Sequence, residues 1–79
     1  MRVPIDNAKL DALQQTYKAA VDQWVAAIRE EEALATGDYS LPAWERWDHA
    51  AFREQDAQEK AKAAKEAYQD GLRQRDYGF

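Results

Sequence analysis

The chain has 79 residues, a formal net charge of −4 and no cysteine. That length allows one small domain, and the missing thiols exclude a disulfide framework or a thiolate metal site. The acidic balance argues against a duplex nucleic-acid binder, which needs a basic stripe to neutralise phosphates.

The opening "MRVPIDNAKL" lacks the apolar stretch of a secretory signal. No run approaches the roughly 18 apolar residues of a membrane span. A cytoplasmic protein with neither a membrane nor a nucleic-acid partner is the expectation.

A first helix is predicted over about 7–36. Asp6 or Asn7 supplies its cap, because a short polar side chain there accepts a free backbone N–H of the first turn. Its apolar residues Leu10, Leu13, Tyr17, Val21, Trp24 and Ile28 keep to one face at about 100° per residue. A second line, Ala12, Ala19, Ala26 and Ala33, runs almost opposite and reads as exposed alanine in its role of best helix former.

The stretch "TGDYSLP" is the one internal break, giving a turn over about 37–41. Gly37 is predicted to end the first helix in the left-handed conformation. Ser40 then caps the second, with Pro42 tolerated in a first turn that needs no intrahelical N–H.

The second helix is predicted over about 41–74, followed by a short tail, 75–79. Ala43, Ala50, Ala57, Ala64 and Gly71 recur at intervals of seven, flanked by Trp47, Ala61, Tyr68 and Leu72. One helix thus presents bulk and the other a groove of small residues. Such faces permit close antiparallel packing. A single hairpin spanning residues 1–79 follows, pairing position i with about 77 − i. Its expected core is Leu10, Leu13, Tyr17, Val21, Trp24, Ile28, Trp47, Ala50, Ala57, Ala61, Ala64, Tyr68 and Leu72. Glu54 falls opposite Trp24, where it can accept the indole N–H, although reaching sideways to solvent is the preferred reading.

Two helices bury only one face each, and so small a scaffold usually needs further support. An all-α homodimer forming a four-helix bundle is therefore expected. Phe52 lies well round the second helix from Trp47, and is expected at an oligomer interface.

Catalytic chemistry has little to draw on. Ser40, Thr16 and Thr36 are possible nucleophiles, but the single histidine stands at no telling spacing from any of them. No glycine-rich phosphate loop is present. The chain reads as non-catalytic and without a cofactor. An alternative is a metal- or ligand-binding bundle, in which Glu31 meets Glu45 and His49, spaced at i and i+4 on the second helix. Against it, His49 projects away from the alanine groove, and a solvated histidine at an acidic helix end is preferred.

Charge is unevenly distributed. Between Arg29 and Asp56 three basic residues stand against eight acidic ones, a net of −5, while the rest of the chain sums to +1. The hairpin gathers these acids at its turn end with Tyr39, Trp44 and Phe52. Aromatic anchors amid negative charge suit a basic protein partner. The leading functional expectation is a self-associating interaction protein with a partner surface at Tyr39, Trp44 and Phe52. A structural assembly component is the other alternative.

Overall fold

A computed structural model describes residues 5–78. Two helices, α1 (Asn7–Leu34) and α2 (Leu41–Tyr77), pack against each other as an antiparallel hairpin. The described residues contain no strand. Residues 1–4 and Phe79, the outermost parts of the expected hairpin and tail, lie outside the described residues.

Capping fixes where each helix begins. Asp6 accepts the Lys9 backbone N–H at 2.7 Å, and Ser40 accepts that of Ala43 at 3.4 Å. The two ends differ from expectation. The first helix stops at Leu34, where Ala35 turns extended (φ −80°, ψ 96°), and Gly37 does not adopt a positive φ. A relay of side chains shapes the turn instead: Thr36 accepts the Asp38 N–H at 3.2 Å, and Asp38 accepts the Ser40 N–H at 2.9 Å. Such side-chain-to-backbone bonds offer the chain a turn without a left-handed residue. At the other end, Arg75–Tyr77 continue α2 rather than forming a tail. Gly78 closes it at φ 75°, in the left-handed region that suits glycine.

The interface follows a repeat of seven. From α1, Leu10, Leu13, Tyr17, Ala20, Trp24, Ala27, Glu31 and Leu34 are buried or half-buried at alternating steps of three and four. From α2, Ala43, Trp47, Ala50, Glu54, Ala57, Ala61, Ala64, Tyr68 and Gly71 do the same. This spacing of 3.5 keeps two long helices in contact along a seam.

The same spacing explains one displaced residue. Ile28, expected in the core, is 38 % exposed, because Ala27 takes the seam position and moves Ile28 to the flank. A straight 3.6 period favours Ile28; the supercoiled 3.5 period favours its neighbour. Val21 and Leu72 are half-buried beside the seam.

Specific contacts run along its length. The Trp24 indole N–H donates to Glu54 at 2.9 Å, so Glu54 turns inward instead of reaching sideways to solvent. Tyr17 stacks on Tyr68 with ring centroids 6.2 Å apart, and Gln14 donates to the Tyr68 hydroxyl at 3.2 Å. At Gly71 the helices come so close that a Cβ would stand 2.9 Å from Leu13 Cδ1 and 3.1 Å from Leu10 Cδ2. A larger residue there has to push those leucine side-chain ends aside.

The result is a rod of 61 × 16 × 12 Å with a radius of gyration of 17.9 Å. A globular domain of this length has a radius near 12 Å. The rod exposes 6135 Å², against about 4,900 Å² for a typical folded monomer of its mass. Its core is thin: Leu10, Ala43, Ala50 and Ala61 are the fully buried apolar residues among those described.

Candidate interaction site

The repeat of seven gives the hairpin two unlike long sides. On one, Glu30 of α1 meets Arg53 of α2 in an ion pair of 2.6 Å. Arg46 and His49 line the same side, and with Glu30, Leu34 and Arg53 they surround a cavity of about 310 Å³. This side is charged.

The opposite side carries an apolar strip from its middle to the turn end, with Gln58 and Lys65 continuing the α2 line towards the open end. Val21 and Ile28 flank the seam from α1, with Val25 one step further out. Trp44 and Ala51 flank it from α2. Val25 is 40 % exposed and Trp44 56 % exposed, both high for side chains of their size and polarity. At the turn end this side opens into a cavity of about 620 Å³. Leu34, Ala35 and Thr36 from the end of α1, Asp38 and Tyr39 from the turn, and Leu41, Ala43, Trp44 and Trp47 from α2 line it.

Local sequence explains why the cavity exists. The early end of α1 and the turn from Ala35 to Tyr39 lie at the mouth of this cavity. The seam there is filled by Ala43, whose single methyl leaves space between Leu34 and Trp47. Tyr39 stands 92 % exposed at the rim, and Leu41 66 % exposed beside it. Asp38 supplies a fixed negative charge at the same rim. The Ser40 backbone N–H, and after it the Ser40 hydroxyl, hold its carboxyl below the usual carboxylate range, with Arg46 adding a smaller pull in the same direction.

Of the residues singled out from the sequence, Tyr39 and Trp44 are brought together on this cavity. Phe52 is not. It is 66 % exposed on the back of α2, in line with Glu45, Glu59 and Glu66 at intervals of seven. Val25 and Leu41 were not singled out as surface residues, and Leu34 and Ala51 are half-buried beside them.

The residues of the alternative metal set are not brought together within the chain. Glu31, Glu45 and His49 do not converge, and among the described residues no three His, Asp or Glu side chains are placed to hold a metal ion. Glu31 is drawn into the seam, half-buried, at the register position facing Trp47, one repeat from the Trp24–Glu54 pair. Glu45 lies on the exposed back of α2, and His49 belongs to the charged side.

Among the described residues, no helix is long and apolar enough to cross a membrane. Comparison with protein-family models, with curated proteins and with solved structures finds no match to this chain.

Proposed function

We propose that the chain is a non-catalytic interaction protein that self-associates and receives a basic partner at its acidic, aromatic turn end. The observation that carries this reading is the 620 Å³ apolar cavity, open to the surface between Trp44, Tyr39 and Leu41. A concave apolar surface with a large aromatic at its mouth gives a partner side chain somewhere to be desolvated, which is where binding energy concentrates. The net charge of −5 between Arg29 and Asp56 steers a basic partner towards it.

A lysine-rich amphipathic peptide with leucine anchors and no tryptophan is a suitable probe, since Trp44 and Trp47 report on the cavity by fluorescence. Addition of this peptide is expected to shift the tryptophan emission, and added salt to weaken the response. Trp44→Ala is expected to raise the dissociation constant at least about tenfold, the effect of losing an aromatic anchor. An unchanged emission spectrum on saturating addition, or equal affinity in Trp44→Ala, overturns the reading.

A further inference from the structure

We infer that self-association pairs two copies of this chain antiparallel across the side that carries the apolar strip, related by a two-fold axis through Val25 and Gln55. The inference rests on the self-association in the reading above and gives its geometry.

Three observations carry it. The first is area. The hairpin exposes 6135 Å², about 1,200 Å² more than a globular chain of its mass. A standard specific interface covers about 800 Å² on each partner, so one such contact brings the rod back towards an ordinary surface.

The second is continuity. Val21, Val25 and Ile28 on α1, and Ala51 and Trp44 on α2, form one apolar strip along the side that carries the turn-end cavity. The other long side has the Arg53–Glu30 ion pair, with Arg46 and His49 beside it. Of the two long sides, this one carries the apolar strip, with Lys18, Glu32, Asp48 and Lys62 at its edges.

The third observation fixes direction. Along the outer line of this side, α1 presents Lys18, Val25 and Glu32 at intervals of seven, which reads positive, neutral, negative. The matching line of α2 presents Asp48, Gln55 and Lys62, which reads negative, neutral, positive from turn end to open end. The charged members stand about 10 Å on either side of the central residue along each helix. The Trp24–Glu54 bond places the two central residues, Val25 and Gln55, at nearly the same height on the rod.

Both lines are therefore complementary to themselves when reversed. With α1 over α1 and α2 over α2 in opposite directions, Lys18 of each copy faces Glu32 of the other, and Asp48 faces Lys62. Val25 meets Val25, and Val21 meets Ile28. A parallel pairing sets like charge on like at all four positions. Among the described residues, none of these four charged side chains has an ion-pair partner within its own chain. The same overlap carries the open-end Leu72 of one copy past Leu41 to the turn end of the other, and sets Lys65 against Trp44.

Charge reversal on α1 tests this without touching the seam. Sedimentation equilibrium on the intact chain is expected to give twice the 9.1 kDa chain mass. Glu32→Lys sets lysine against Lys18 of the other copy, and is expected to weaken association at least about tenfold with helicity unchanged. Adding Lys18→Glu to that variant exchanges the two signs and is expected to restore the dimer. Equal association of the wild type and Glu32→Lys, or no recovery in the double variant, overturns the inference. A chain that binds the lysine-rich peptide through Trp44 yet stays at 9.1 kDa also overturns it, while leaving the partner reading intact. A chain that neither pairs nor binds the peptide removes both.

Discussion

Ala50→Leu is expected to lower the thermal midpoint of the hairpin by about 4–24 °C. Ala50 is 1 % exposed, the most deeply buried residue of the seam, and its line of small residues is what lets α1 approach. Three added heavy atoms have no void to enter, so the helices must separate locally or the side chain must leave its rotamer. Overpacking of this kind costs about 1–3 kcal/mol. Each kcal/mol corresponds to about 4–8 °C in a domain of this size. Since net stabilities run at about 0.05–0.15 kcal/mol per residue, the loss is a large share of the total.

Thermal unfolding followed by circular dichroism at 222 nm reads the effect. Ala26→Leu is the matched control. Ala26 is exposed on the back of α1, and the same chemical change there is expected to leave the midpoint within a few degrees. Equal midpoints for the two variants contradict a close-packed seam at Ala50.

Leu10→Ala is expected to cost about 2–4 kcal/mol, the usual range for emptying a buried leucine site. Leu10 is 5 % exposed and is the large aliphatic side chain buried most completely among the described residues. It lies against Gly71, the point where a Cβ would stand only 3.1 Å from its Cδ2. Glycine cannot grow to fill the void, so little relaxation is available. The damage concentrates at the open end of the rod, far from the turn. Hydrogen exchange is therefore expected to accelerate first in the opening turns of α1 and the closing turns of α2, while amides around Ala50 remain protected. Uniform acceleration along both helices contradicts this local account.

The effects of these two substitutions follow from features legible in the sequence. Asp6, Ser40 and Pro42 announce the helix starts, because capping chemistry depends on neighbours two or three residues away. The recurrence of Ala43, Ala50, Ala57, Ala64 and Gly71 announces a groove, because only a close helix neighbour gives small residues that spacing.

What escaped depended on how two helices bend round one another. Counting at 3.6 residues per turn puts Ile28 in the core; the supercoil puts Ala27 there and leaves Ile28 on the flank. The inward turn of Glu54 depends on the Trp24 indole needing an acceptor in the seam, a condition set by the partner helix. Gly37 carried a terminating signal that the Thr36–Asp38–Ser40 relay made unnecessary. In the candidate site, Tyr39 and Trp44 were visible as exposed aromatics near a turn. The sequence already places Phe52 well round α2 from Trp47, at an expected oligomer interface; it is 66 % exposed on the back of α2.

The separation has a consequence for assembly. Phe52 lies on the back of α2, outside the strip from Val21 to Trp44. Phe52→Ala is expected to leave the solution mass unchanged, whereas Trp44→Ala is expected to reduce association. Equal losses in both variants contradict a single paired side.

The solution mass of the unaltered chain, followed by sedimentation equilibrium from low to high micromolar concentration, tests the central claim most directly. The account predicts a reversible rise from 9.1 kDa to twice that value, shifted to higher concentration by added salt. A mass that stays at 9.1 kDa throughout that range contradicts it.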